Sequence, residues 1–210
     1  RRRVVLGPPV SVGPFEYLRR HSVGAGGRKV APIHQQSHGH VLSLDEPGSG
    51  TRLEDVRPLE HIAYSADGRW IAGTSKALGH VVVWDATSGK KTRTFEGLYG
   101  LLTFDPRSRY LVVGAPLEYL FLRTSDWETA RRLPRSPRLS EPGPIAFDRR
   151  GEVMAVAQTD SCIWLVEVES GRRITELEAP DPRRLNGLAL DLDAGFLAAC
   201  TRSHRCHFWD

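Results

Sequence analysis

The sequence predicts an all-β fold, a β-propeller built from five repeats of a four-stranded blade. Three observations support this prediction: a turn motif recurs at nearly constant spacing, each copy is followed by an apolar run, and a second turn follows most of these runs. A period near 40 residues fits four short strands and four turns, whereas helical repeats of that length need long amphipathic stretches. The sequence contains no such stretch.

The recurring motif is an apolar segment, a polar turn with Asp or Gly, and a second apolar segment. Its clearest copy is His61–Ala72, and an imperfect early copy begins at His21 with a turn longer by two residues. Equivalent turn positions are 27, 68, 108, 151 and 194, which gives spacings of 41, 40, 43 and 43 residues. Four carboxylates are expected to shape the turns, because they recur at what looks like the same place: Asp67, Asp105, Asp148 and Asp191.

Each turn is followed by an apolar run, as expected for a strand packed on both faces. These runs are 41–45, 81–85, 119–123, 163–167 and 207–210. Tight turns, most with Ser-Gly, follow at 48–51, 88–91, 125–128 and 170–173. One complete unit is therefore predicted to place strand a at 59–65, strand b at 69–74, strand c at 80–85 and strand d at 91–96.

The pairs Trp84-Asp85 and Ser88-Gly89, with Trp209-Asp210 later in the chain, resemble the WD-repeat family in its degenerate bacterial form. The resemblance implies that Trp84 and Trp209 are largely buried at equivalent sites. We expect Leu44, Leu122 and Val166 at the matching sites of the other units, while Arg123 replaces the usual Asp. Gly39-His40 and Gly79-His80 precede strand c, unlike the Gly-His pair of the family, so that role is not transferred to them.

We expect one propeller domain over 1–210, because chains of this size often form a single all-β domain. The repeats are placed at approximately 14–55, 59–97, 99–134, 143–179 and 186–210, and residues 1–8 are a candidate closing strand d. Because the first residue is not Met, the chain is expected to be cut from a longer protein. Two arrangements stay open, a closed five-bladed ring and an arc of a larger propeller.

Two longer segments interrupt the repeat and are interpreted as surface connections. Arg131–Pro144 is rich in proline, and Ala179–Asn186 is short and charged. Such loops are exposed and commonly carry function, although a tolerated insertion is the alternative.

Charge and cysteine content limit the partners and the compartment. The net charge is +4, but the basic residues are scattered as pairs, so nucleic-acid binding is not expected. No apolar run is long enough to cross a membrane as a helix. The three cysteines are odd in number, which argues against a secreted disulfide framework and favours the cytoplasm.

Two His/Cys groups could in principle bind a metal ion. We interpret His34, His38 and His40 as residues of a solvated loop, and the group Cys200, His204, Cys206 and His207 as strand residues with structural thiols. The sequence therefore predicts no metal and no other cofactor. It also contains no phosphate-binding loop, serine-nucleophile elbow or zinc-protease motif.

The resemblance implies a non-catalytic scaffold for protein–protein interaction. In WD-repeat proteins the d–a and b–c loops line one face, and the candidate binding residues on that face are Arg57, Lys76, Tyr99, Glu118, Asp160 and Arg183. The first alternative is a sensory or regulatory segment of a larger signalling enzyme such as a bacterial kinase. The second is a propeller enzyme, which would need charged residues converging at the inner strands.

Overall fold

A computed structural model describes residues 18–23, 29–34, 39–43, 45–46, 50–54, 58–139, 141–181 and 183–210. These residues form five antiparallel sheets. The first sheet comprises β1 (Leu18–Val23), β2 (Lys29–His34), β3 (His40–Ser43) and β4 (Gly50–Arg52); the second comprises β5 (His61–Tyr64), β6 (Trp70–Ser75), β7 (His80–Asp85) and β8 (Lys91–Glu96). The third comprises β9 (Leu101–Phe104), β10 (Tyr110–Gly114), β11 (Glu118–Arg123) and β12 (Thr129–Pro134); the fourth comprises β13 (Ile145–Phe147), β14 (Val153–Ala157), β15 (Cys162–Glu167) and β16 (Arg173–Glu178). The fifth comprises β17 (Leu185–Asp191), β18 (Phe196–Thr201) and β19 (Cys206–Trp209).

Each sheet is a meander in which consecutive strands pair antiparallel, and the first strands of the sheets contact one another in chain order. This arrangement is a β-propeller, so the predicted fold class is confirmed. The four strands predicted for the second unit differ from β5–β8 by no more than two residues at any boundary. The described residues include no helix long and apolar enough to cross a membrane.

Four apolar clusters hold the sheets together, one between each pair of neighbours. In β7, Val82 and Trp84 pack against the first sheet, whereas Val81 and Val83 pack against the third. Successive side chains of a strand point to opposite faces, so a strand enclosed by two neighbouring sheets must be apolar at every position. This requirement explains the continuous apolar runs.

The turns between strands a and b require a left-handed backbone at their fourth residue. Gly68 and Gly151 have φ values of 77° and 65°, and Ser108 has 56° at the same position. Glycine adopts this conformation without steric cost, whereas serine does not. In the fifth sheet the positive φ lies at Gly195, one residue later than position 194 of the predicted register.

The expectation that four aspartates share one place in these turns is wrong for Asp67. The backbone hydrogen bonds show that Ser65 is equivalent to Asp105 and Asp148. The carbonyl of each of these residues accepts the N–H of the residue three positions later. The Ser65 hydroxyl accepts the Trp70 N–H at 2.9 Å, as the Asp105 carboxylate accepts the next strand's first N–H at 2.7 Å. The shared requirement is therefore a short side chain with an acceptor oxygen, which serine and aspartate both supply.

Both connecting segments are shorter than predicted. Strand β12 extends through Pro134, so the proline-rich linker covers 135–144, and β17 already begins at Leu185. Pro134 ends an outer strand, a position where the missing N–H removes no bond to a further strand.

The fifth sheet has three strands within the described part of the chain. At the site predicted to be equivalent in every unit, Trp84, Leu122 and Val166 are fully buried, but Trp209 is only partly buried. Trp209 is therefore less completely buried than the three equivalent residues. Leu44 and the candidate closing segment 1–8 lie outside the described residues.

The interpretation of Cys200 and Cys206 as free structural thiols is also wrong. They form a disulfide between β18 and β19, and Cys206 is exposed. The two residues are direct cross-strand partners, and their Cα atoms are 4.2 Å apart. Cα atoms this close bring the two side chains near each other across an antiparallel pair. Cys162 is the free cysteine, and it is buried.

Candidate binding face

A cavity of about 360 Å³ opens where the d–a and b–c loops of the propeller meet. Its walls come from the second, third and fifth sheets and from the proline-rich linker. Lys76, Tyr99, Glu141 and Arg184 are among the side chains that reach it. The loops that end different sheets therefore contribute to one surface, which we call the loop face.

Glu141 lies between two cationic side chains that line this cavity. Its Oε2 atom lies 3.7 Å from both Lys76 Nζ and Arg184 Nη2, and Lys76 Nζ lies 5.9 Å from the centre of the Tyr99 ring. Half-exposed ion pairs of this kind contribute little to stability. They leave charged groups and an aromatic ring available to a partner.

A second cavity of about 280 Å³ adjoins the first and shares Glu141, Arg184 and Arg202 with it. Arg135 and Arg138 also line it, and so does Asp160. Four arginines and two acidic residues therefore line one concave site.

The structure brings together only some of the predicted binding residues. Lys76 and Tyr99 line the first cavity and Asp160 lines the second. Arg183 is exposed beside them but lines neither, and Glu118 instead pairs with Arg132 at 2.5 Å. Arg57 lies outside the described residues.

Sequence reasoning missed Arg135, Glu141, Arg184 and Arg202. Arg135 and Glu141 lie within the proline-rich linker, which was recognised as a candidate functional loop. Arg184 and Arg202 are neighbours because the Arg202 N–H donates to the Arg184 carbonyl at 2.9 Å. Nothing in the spacing of the sequence indicates that long-range bond.

Arg135 fixes the linker to the propeller. Its guanidinium donates to the carbonyls of Ala157 at 3.0 Å, of Ala115 and Pro116 at 2.8 Å, and of Glu141 at 2.9 Å. The residue is only 8% exposed. These bonds join the third sheet, the fourth sheet and the linker at one charged group.

The ring of Tyr119 packs against the guanidinium group of Arg135. The guanidinium carbon lies 5.2 Å from the ring centre, and the tyrosine hydroxyl donates to the Ala157 carbonyl at 2.7 Å. Burial lowers the pKa of Arg135 and raises the pKa of Tyr119. Arginine nevertheless stays protonated in proteins, so a positive charge is retained in this buried position.

Asp181 positions the two arginines supplied by the fifth sheet. Its carboxylate accepts hydrogen bonds from the Thr201 and Ser203 hydroxyls and from the Arg183 N–H. The bond from Ser203 is the first cause of the lowered pKa of Asp181. The network ties the segment before β17 to the turn after β18, and Arg184 and Arg202 lie on these two segments.

The other candidate groups are not arranged for chemistry in the described residues. No set of three His, Cys, Asp or Glu side chains there is close enough to hold a metal ion. Burial raises the pKa of the Cys162 thiol to about 11, which keeps it protonated near neutral pH. His34 ends β2 and His40 begins β3, so the interpretation of these two as loop residues is wrong; His38 and the side chain of His34 lie outside the described residues.

Comparison with known proteins identifies relatives among large plant proteins. No family model matches the chain. The TOPLESS-related protein 2 of rice is 33% identical over 132 residues, which cover 55% of this chain and 11% of that protein. Topless-related protein 1 of Arabidopsis thaliana is 28% identical over 136 residues, covering 60% of this chain and 12% of that protein. The chain thus spans about a ninth of the length of the relatives it matches.

Two solved structures share the fold. The Cps50 (Swd1) β-propeller domain of Myceliophteria thermophila superimposes with a TM-score of 0.69 at 16% identity, covering 88% of this chain and 67% of that chain. Hydrazine synthase of Kuenenia stuttgartiensis gives 0.68 at 12% identity, covering 86% and 54%. Identities this low establish a common architecture and nothing about activity.

Proposed function

We propose that this chain, which belongs to the WD-repeat β-propeller family, is a non-catalytic scaffold that binds a protein or peptide partner through its loop face. The observation that carries the proposal is the convergence of loops from several sheets on one concave, charged surface. A partner that crosses this surface contacts several blades at once.

The chemistry of the loop face suits recognition of a polypeptide. Tyr99 supplies an aromatic surface, and Arg184 and Arg202 supply planar charged groups. Tyrosine and arginine are enriched among the residues that contribute most to binding at interfaces. The partly paired charges at Glu141 and Lys76 favour selectivity, because a partner must match both signs.

The roles of the longer relatives are not assigned to this chain, because the match covers only 11% to 12% of their length. Its relatives are TOPLESS-type proteins, and the fold is shared with hydrazine synthase as well as with Swd1. A location in the cytoplasm also stays a prediction. That prediction was based on the odd number of cysteines. The Cys200–Cys206 disulfide weakens it, because three cysteines can still form one disulfide.

The proposal is tested by selecting binders from a random peptide library with the wild-type protein. Their affinities are then measured against a Lys76→Ala/Tyr99→Ala variant. We expect the selected peptides to lose affinity by about tenfold or more, because both side chains lie in the first cavity.

Arg149→Ala is the matched control. Arg149 is exposed in the turn between β13 and β14, at the opposite end of the strands from the loop face. It should not change the affinities. Selected peptides that respond to Arg149→Ala and not to the loop-face variant would contradict the proposed binding face.

A further inference from the structure

The second cavity is deficient in negative charge. We call its four basic side chains, Arg135, Arg138, Arg184 and Arg202, the arginine pocket. Only Glu141 and Asp160 oppose them among the residues that line the cavity, which leaves an excess of two positive charges. Concave sites lined by one sign of charge concentrate ions of the opposite sign.

Arg135 is a buried cation without a carboxylate partner. Its guanidinium donates to four backbone carbonyls and also contacts the Tyr119 hydroxyl, and it forms no ion pair with an Asp or Glu oxygen in the described part of the chain. A buried charge is costly unless an opposite charge accompanies it, so an anion entering the cavity would be stabilised strongly.

The two carboxylates of the cavity do not satisfy this need. The carboxylate of Glu141 pairs with Lys76 and Arg184. Only the backbone carbonyl of Glu141 accepts a hydrogen bond from Arg135. Asp160 is exposed, and its attraction has the smallest of the effects that shift the pKa of Arg135. Arg138 is exposed and makes no hydrogen bond or ion pair with a described residue, so it is available to a ligand.

We propose that the arginine pocket binds a dianionic phosphoryl group carried on a side chain of a peptide partner. This inference rests on the proposed function and names the chemical group that the loop face recognises. Guanidinium groups match the geometry of phosphate oxygens with paired N–H donors. A phosphorylated side chain carries a charge close to −2 near neutral pH, which matches the excess charge of the pocket.

The size of the cavity supports a single side chain as the occupant. Its volume of about 280 Å³ lies at the lower limit for sites that enclose a drug-sized ligand. A nucleic acid is a poorer match, because its backbone needs an extended basic surface and Glu60, Glu141 and Asp160 interrupt this one.

The test compares three random peptide pools that differ only at one central position, which is serine, glutamate or phosphoserine. Binding is measured by fluorescence anisotropy at physiological salt. We expect the phosphoserine pool to bind about tenfold or more tightly than either other pool, since only it supplies a dianion. Equal binding of the glutamate pool would overturn the assignment of phosphate.

The matched variants are Arg138→Gln/Arg202→Gln and, outside the pocket, Arg149→Gln. All three side chains are exposed, so the substitutions remove charge without opening a cavity in the core. We expect the first variant to abolish the preference for phosphoserine and Arg149→Gln to preserve it. A preference that survives the double substitution would overturn the proposed site.

Inorganic phosphate provides a second readout that does not depend on a peptide. It should raise the melting temperature of the wild type more than that of the double variant, because a ligand stabilises the state that binds it. If library peptides require Lys76 and Tyr99 but show no preference for phosphoserine, the scaffold survives and this inference fails. If phosphate stabilises only the wild type and no peptide is selected, the pocket is an anion site, but the scaffold proposal fails and so does the assignment of a peptide-borne occupant.

Discussion

Strands β7 and β19 carry the same Trp-Asp signature at equivalent positions, yet their environments differ. Trp84 faces Ile71 across the β6–β7 pair, and Trp209 faces Leu197 across the β18–β19 pair. Trp84 is completely buried and its Nε1–H donates to the Glu54 carbonyl at 2.7 Å. Trp209 is only partly buried.

The difference arises from the neighbouring sheets. The first and third sheets enclose β7, whereas β19 packs against the fourth sheet on one side. Phe208 shows the consequence: its counterpart Val83 is fully buried under the third sheet, while Phe208 is 71% exposed. The same dipeptide therefore supports the core in one blade and lies at an edge in another.

The largest expected effect is the contrast between Trp84→Ala and Trp209→Ala. Trp84→Ala should lower the free energy of unfolding by about 3 to 5 kcal/mol, because it leaves a large cavity and an unpaired carbonyl. Trp209→Ala should cost less than about 2 kcal/mol, since the side chain is partly exposed and packs against one neighbouring sheet only. Chemical denaturation of both variants measures the difference.

Leu122→Ala is the control for position, since it removes a buried side chain at the equivalent site of the third sheet. It should cost about 2 to 5 kcal/mol. A loss below about 1 kcal/mol for Trp84→Ala would mean that the register of the repeat is wrong.

The second prediction concerns how the third sheet covers β7. Trp127 occupies the turn before β12 with φ 65° and packs against Trp70, whose ring centre is 5.2 Å away. Trp127→Ala should therefore cost about 3 to 5 kcal/mol. Trp127→Gly should cost about 1 kcal/mol less than the alanine variant, because glycine relieves the left-handed backbone conformation.

Gly89 is the matching control in the second sheet. It has φ 70°, but a Cβ atom there would lie 2.1 Å from the Arg52 carbonyl oxygen. Gly89→Ala should destabilise the protein, because the new Cβ atom would clash with the Arg52 backbone. Position 127, in contrast, already accommodates a side chain. If glycine and alanine at position 127 prove equally destabilising, backbone strain is not significant at this turn.

The sequence predicted the repeat and the fold because both depend on local patterns. Turn residues and apolar runs specify strands, and stacking of similar sheets requires apolar side chains on both faces. Burial at Trp209 was not predictable from its own blade, because it depends on the presence of a neighbour. The binding face was predicted in part: loop positions placed Lys76, Tyr99 and Asp160, but Arg135 acts through carbonyls that are remote in sequence.

The third prediction concerns the disulfide, which links β19 to β18 where packing is weak. Cys200→Ser/Cys206→Ser should lower the free energy of unfolding by about 2 kcal/mol, the chain-entropy value for a loop this short. Cys162→Ser provides the comparison, because that cysteine lies outside the disulfide. Thiol titration of unreduced, unfolded protein should detect Cys162 alone; three reactive thiols would contradict the pairing.

The smallest expected effect is that of deleting residues 1–7, which tests whether a closing strand covers β19. The exposure of Phe208 indicates that the described residues of the first sheet do not stack on the fifth, so we expect an open arc. The melting temperature should then stay unchanged. In a closed five-bladed ring, a strand from 1–8 would pair with β19 and protect its edge, and the deletion should cost several kcal/mol and promote aggregation. Hydrogen exchange at β19 distinguishes the two arrangements directly, because an unpaired edge exchanges quickly in the intact chain and in the shortened one alike.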